Sequence, residues 1–462
     1  MRKKLGLIGM ALMSFLNIYA GGLLTNTNQN VTFLRNISRD ASMEIDAAYT
    51  NPAGLAFLSK DGFFLSLNSQ SAFQTRNTIA DFAPFAGFGG NTVKEFEGKA
   101  TVWSAPSLQA AYKIGNWVFS TNIGVAGGGG DLNFNEGLSS FESTAAIVPV
   151  FLNKIQPALN FGGYDLESRL TGSSVIYNAQ VGATYTIVEH FSAYAGVRYY
   201  YVHNEYKGYL KNVRLGMNGN LVPAASIVLN PNFASLKPLV NDKELNCKQP
   251  GSGIAPIIGL DYNWNKLNIG AKYEFRTGIN LKNKSSINTT GLADYDDGKK
   301  TPYDIPALLA VGAQYNIIPK LTVSASYHHF FDSDAKMVND KQKFINGGIN
   351  EYLAGVEYRI NDLFLVSCGA QLTRTGVTDD YQTDMNFSLN SYSVGFGGAI
   401  NITKNIRINL AYFFTNYENW TKNITDYGKI ESLTQGAIPA TPGTDTFTRT
   451  NQSCGIGLHF GF

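Results

Sequence analysis

Lys404-Asn405-Ile406-Arg407-Ile408-Asn409-Leu410-Ala411-Tyr412-Phe413-Phe414-Thr415-Asn416 is the stretch whose reading decides the fold. Ile406, Ile408, Leu410, Tyr412 and Phe414 fall on one side of an extended chain, and Arg407, Asn409, Ala411 and Thr415 on the other. Successive side chains of a strand point to opposite faces, so this is a strand with one apolar and one polar face. Residues 267–276 repeat the pattern, with Leu267, Ile269, Ala271, Tyr273 and Phe275 against Asn268, Gly270, Lys272, Glu274 and Arg276. So do residues 352–360. In a soluble sandwich the apolar face is the inside. In a membrane barrel it meets lipid, and the polar face lines the lumen.

The connections separate the two. The alternation predicts about fourteen strands, at 62–71, 105–114, 116–126, 174–186, 190–204, 253–264, 266–281, 306–316, 319–331, 350–360, 363–376, 390–401, 404–418 and 452–462. Short turns at Gly115, Val188-Glu189, Asn265, Ile318, Asn361-Asp362 and Lys404 alternate with long polar or Gly/Pro-bearing connections. A membrane barrel keeps its long loops at one end, whereas a sandwich has no reason to do so. The expected fold is therefore all-β, a transmembrane antiparallel barrel of an even number of strands, spanning 62–462.

Composition agrees. Of 462 residues only 16% are charged, 13% are aromatic and 47 are glycine. Arg2, Lys3 and Lys4, the apolar run Leu5–Leu16 and the small Ala20 read as a signal peptide over 1–20, too short for a spanning helix. Removing its three bases from 37 leaves 34 against 35 acids, a balance that does not favour a nucleic-acid partner. No later run of 18 apolar residues occurs, so a membrane-spanning chain must close its sheet to pair every backbone group. Cys247, Cys368 and Cys454 are odd in number and lack CxxC spacing, which argues against a disulfide framework or zinc site and leaves one pairing open. No HExxH, G-x-S-x-G or cysteine-nucleophile motif occurs, and His328 and His329 are adjacent on a strand and so face opposite sides. Neither an enzyme nor a cofactor is expected.

Residues 21–61 precede the first strand and hold Val31, Phe33, Leu34, Ile37, Ile45 and Tyr49, enough apolar matter to pack inside something. Asn51-Pro52-Ala53-Gly54 then marks a turn. The run Glu44 to Leu55 resembles the hatch of the FadL/TodX family of outer-membrane hydrocarbon transporters, which has an Asn-Pro-Ala motif in an N-terminal plug. The strand count and the final strand ending at Phe462 are similar too. The resemblance implies an outer-membrane barrel of a Gram-negative bacterium with a plug in its lumen. It implies uptake of long-chain fatty acids or aromatic hydrocarbons and their release sideways into membrane lipid through a gap at a kinked third strand. It also implies that the barrel-assembly machinery reads the strand ending at Phe462. The chain is expected to act as a monomer.

Candidate residues follow. Gly127, Gly128, Gly129 and Gly130 end the third strand, hold a regular ladder poorly and favour a bulge, a close approach or a plain flexible loop start; the family resemblance implies that the candidate wall opening lies here. No Gly-Lys-Ser/Thr follows them, so a phosphate loop is not indicated. Ile147, Val150 and Phe151 in one long connection, and Ile227, Leu229 and Phe233 in another, are apolar enough to form a ligand groove or to pack on each other. Arg198, Lys272, Arg276, Arg359 and Arg407 face the lumen by alternation and could meet a ligand carboxylate, or pair with Asp261, Glu274 and Glu357. Arg35 and Arg39 could tether the N-terminal segment to the wall. A water-filled porin for small polar solutes and an outer-membrane lipid hydrolase are the rival readings.

Overall fold

The computed structural model describes residues 24, 25, 28, 30–433, 436 and 438–461; the expected signal peptide 1–20 and Phe462 lie outside the described residues. Fourteen antiparallel strands form one ring. In chain order they are β1 Gly62–Phe82, β2 Val93–Ile114, β3 Trp117–Phe134, β4 Phe161–Val188, β5 Phe191–Met217, β6 Lys243–Trp264 and β7 Leu267–Glu274. Then come β8 Leu308–Ile318, β9 Leu321–Phe330, β10 Ile349–Arg359, β11 Phe364–Arg374, β12 Ser391–Thr403, β13 Ile406–Tyr417 and β14 Gly443–Gly461. Each pairs with its chain neighbours, and β1 pairs with both β2 and β14, which closes the sheet.

The two faces are the inverse of a soluble protein. Val181, Ile254, Ile258, Phe396 and Leu410 point outward and are exposed, while Asn122, Gln180, Asn268 and Asn409 point inward and are buried. Apolar side chains outside and amides inside suit a wall solvated by lipid. Closure leaves no sheet edge to be solvated there. Among the described residues no helix is long and apolar enough to cross a membrane.

Six connections, from 115–116 to 404–405, are two to four residues long and share one end; the seven others share the opposite end. Several strands run much further toward that second end than alternation predicts. β1 continues to Phe82, β2 starts at Val93, β4 at Phe161, β6 at Lys243 and β14 at Gly443. The connection expected over 72–104 is thus largely ladder. Beyond the lipid both faces of a strand can be polar, so the pairing persists after the period-two signal has faded. The connection 135–160 holds the helix Ser139–Ile155.

Residues 30–58 lie inside the ring, as a helical turn Val31–Arg35, a second Ala47–Thr50 and a 3-10 turn Pro52–Phe57. Asn30 donates to Ser66 and Gln109 on β1 and β2, both at 3.0 Å. Thr184 on β4 donates to Pro52 O and Ser192 on β5 to Ala53 O, at 2.7 and 2.8 Å. Asp40 bonds His328 on β9 at 2.9 Å. Arg35 donates to Glu357 on β10 at 2.6 Å, Ser367 on β11 at 2.8 Å and Asn409 on β13 at 3.2 Å. A segment bonded to strands on every side is enclosed by them. Such buried ionic contacts add little net stability over an apolar core, but they fix position because an unpaired partner is costly.

Candidate ligand pathway

Asn51 donates its side-chain amide to Asp261 Oδ2 at 3.0 Å and to Leu260 O at 3.1 Å, both on β6. Pro52 opens the 3-10 turn, where its missing N–H costs nothing. A methyl group on Gly54 would overlap the Ser42 carbonyl oxygen and press on Asp261. The motif thus seats the end of the segment against β4, β5 and β6. Arg39, expected as a wall tether, instead folds the segment on itself through Asp46 at 2.6 Å and Glu44 at 3.1 Å. Burial favours the neutral form of the Glu44 carboxyl, yet Arg407, Arg39 and Arg35 hold it well below the usual range.

The five expected lumen cations divide. Arg198 pairs with Glu274 at 2.7 Å and lies over the Tyr49 ring. Lys272 donates to Tyr49 O at 3.1 Å. Arg407 pairs with Glu44 at 2.6 Å. These three hold the inner segment. Arg276 meets Asp304 at 3.3 Å and is exposed, and Arg359 is exposed at the short-turn end.

The ladder between β2 and β3 is irregular. Their register jumps from Lys99 opposite Asn133 to Leu108 opposite Ile123. Gly128, Gly129 and Gly130 lie there at φ of +71°, +124° and +73°, which a residue with a side chain adopts only under strain. Facing them, Pro106 brings no N–H to the ladder. An open cavity of about 1320 Å³ passes from Leu34, Gln70 and Phe413 inside to Val102, Pro106 and Gly127–Gly130 at this break. A second open cavity, of about 1150 Å³, shares Gly128–Gly130 and reaches Phe387, Arg76 and Arg449.

The outer end holds an apolar groove of about 650 Å³, lined by Phe141, Leu170, Leu210, Leu245, Leu292 and Lys243. None of the six expected groove residues lines it. Ile147 on the helix Ser139–Ile155, Ile227 and Phe233 are buried together with Phe82 and Phe85, and Phe151 packs beside them. Val150 and Leu229 are exposed. The two connections therefore pack on each other, the other outcome their composition allows. The groove residues belong partly to β4, β5 and β6, in stretches that alternation assigns to loops. Arg76 and Arg449 escaped the sequence reading for the same reason, since the expected strands stop at 71 and start at 452. All three cysteines are free: Cys247 is buried, and Cys368 and Cys454 are exposed.

No family model and no curated protein matches the chain. Solved structures do. A FadL homologue from Pseudomonas aeruginosa matches at TM-score 0.65 and 12% identity, over 96% of this chain and 100% of that one. The toluene transporter TodX from P. putida matches at 0.56 and 16%, over 90% and 94%. The toluene transporter TbuX from Ralstonia pickettii matches at 0.55 and 15%, over 96% and 99%. The fold of this chain is similar to theirs over nearly its full length.

Proposed function

We propose that the chain is an outer-membrane channel for passive uptake of hydrophobic small molecules, long-chain fatty acids or aromatic hydrocarbons, which leave sideways through the wall. The observation that carries this is the broken β2–β3 ladder, whose cavity continues into the barrel interior. A lateral gap is useless to a polar solute, because it opens where the outer face meets lipid. The apolar outer groove would capture the ligand, and the segment ending in Asn51-Pro52-Ala53-Gly54 would act as a plug. Similar structures described as toluene transporters and a FadL homologue add fold-level support. The porin reading is disfavoured by the interior segment, which occupies the space a wet pore needs.

The test is a reversible cross-link at the gap. A Cβ on Gly130 would lie 2.9 Å from a Val102 methyl, a separation compatible with a disulfide. With cysteines at both positions, oxidation is expected to abolish uptake of a hydrophobic tracer by cells, and reduction to restore it. The reduced protein is the control for any strain at Gly130. Unchanged uptake in the oxidised protein, together with a large single-channel conductance of the wild type, overturns the proposal in favour of a porin.

A further inference from the structure

Five exposed lysines crowd together beyond the lipid-facing band, on β5, β6 and the connection 275–307. Lys248 on β6 is the register partner of Lys284, which opens the short strand Lys284–Asn288. Lys282 is the register partner of Lys300, in a second pairing of Asn280–Lys282 with Lys300–Pro302. Lys207 on β5 lies diagonally from Lys248, because its own partner is Asn246. The residues beside these lysines in the chain, Tyr206, Cys247, Leu281, Asn283 and Thr301, are buried. Like charges directly opposite each other destabilise a sheet. Here two such pairs follow one another.

The acids nearby are too few or are bound elsewhere. One carboxylate, Glu205, serves both Lys207 at 2.5 Å and Lys248 at 3.8 Å. Asp297 accepts from Ser285 N and Asp296 from Asn288, while Asp294 pairs with Lys299. Lys282, Lys284 and Lys300 form no ion pair among the described residues. The height of the cluster selects its partner. Trp264 and Ile254 bound the exposed apolar face of β6, about 10 residues apart, the length of a membrane-spanning strand. Tyr201, stacked on Tyr177, stands beside that outer limit, opposite Ser252. Lys248 lies further out by roughly 15 Å along the barrel axis, at ~3.3 Å per residue and a tilt of ~40°. A phospholipid headgroup layer is only about 5–8 Å deep. The lysines therefore stand above phospholipid phosphates, at the depth of a larger headgroup.

We propose that Lys207, Lys248, Lys282, Lys284 and Lys300 form a docking surface for the phosphorylated saccharide headgroup of an outer-leaflet glycolipid. The acyl chains of that lipid lie along the apolar face that ends at Tyr177, Tyr201 and Ile254. A phosphate seated between Lys248 and Lys284 turns their repulsion into a shared ion pair. Lysine suits this task because it meets phosphate as a mobile point charge and needs no fixed fork geometry. The inference concerns how the barrel sits among its lipids and stands whatever the cargo is.

The experiment measures lipid retained by the purified barrel in detergent, by native mass spectrometry. The probes are bisphosphorylated lipid A, the same glycolipid without its phosphates, phosphatidylglycerol and poly-glutamate. Wild type is expected to hold the phosphorylated glycolipid at least ~10-fold more tightly than the dephosphorylated one, since each lysine at an anionic surface adds about 5-fold. Lys248→Gln/Lys282→Gln/Lys284→Gln/Lys300→Gln is expected to bring the two to parity. It relieves both like-charge pairs, so it should unfold no earlier than wild type. Should the fourfold variant fail to assemble, Lys248→Gln/Lys284→Gln is expected to lose several-fold of the preference. The control is Lys60→Gln/Lys266→Gln/Lys320→Gln/Lys404→Gln, which removes as many exposed lysines from the short-turn end and is expected to keep the preference. Equal binding of the two glycolipids by wild type overturns the proposal, and so does equal loss in both fourfold variants, which makes the effect one of net charge. Phosphatidylglycerol held as tightly as the phosphorylated glycolipid also overturns it, by making any anionic lipid sufficient. A preference for poly-glutamate over every lipid overturns it in favour of a protein contact on this face.

Discussion

Gly54 and Arg35 show how single residues set the position of the inner segment. The space above Gly54 is filled by the Ser42 carbonyl and the Asp261 carboxylate. Gly54→Ala is expected to lower stability by about 1–3 kcal/mol, as overpacking does, read as an earlier loss of the folded band in a heating series on a gel. Arg35 is wholly buried against Glu357. Arg35→Ala strands that carboxylate at a cost of about 3–5 kcal/mol. Its expected consequence is a less firmly seated segment and a higher conductance to small ions in planar bilayers. Adding Glu357→Ala should recover part of the loss. In the connection 331–348, burial pushes the Asp332 carboxyl up to about 7. The folded protein then keeps a proton that the unfolded chain releases near pH ~3.9. Stability is accordingly expected to fall as pH rises from about 4 to 7. Urea unfolding across that range checks this, and Asp332→Asn should flatten the dependence.

At the scale of the element, β3 is the strand whose sequence and geometry agree most closely on a special role. Its first half alternates, with Val118 and Asn122 buried inward and Phe119 and Ile123 exposed outward. Its second half reaches Gly128–Gly130, where the ladder to β2 is broken and that to β4 shifts register. A side chain at Gly128 would overlap the Ser174 carbonyl oxygen. Gly128→Ala is thus expected to force β3 away from β4 and to reduce hydrophobic-tracer uptake several-fold, while the barrel still assembles. Normal uptake by an assembled Gly128→Ala barrel would count against an exit at this place. The glycine run was visible in the sequence because four glycines in a row cannot pass for an ordinary strand. The β2 side of this irregularity, which reaches Val102, was not, because the expected second strand starts only at 105.

For the molecule as a whole, the inner segment and the ring are one polar network, reaching from Asn30 on β1 and β2 to Asn51 on β6. Deleting 21–50 removes the partners of Arg407, Lys272 and His328 together. The expected result is a barrel that still assembles but passes polar solutes, measured as single-channel conductance and as antibiotic sensitivity of cells. A deletion that leaves conductance unchanged would mean that the segment does not fill the lumen.

The sequence by itself determined the strands, their two faces, the order of short and long connections and the presence of apolar matter before the first strand. Each of these is written in local periodicity and turn chemistry, which the chain carries residue by residue. Only the tertiary structure decided which side chains meet across the lumen. It paired Arg198 with Glu274 and Arg407 with Glu44, buried Ile147 against its neighbours, and set Arg76 beside Arg449 with no acid between them. Ring closure sets those meetings by joining strands hundreds of residues apart, and no local pattern records that register.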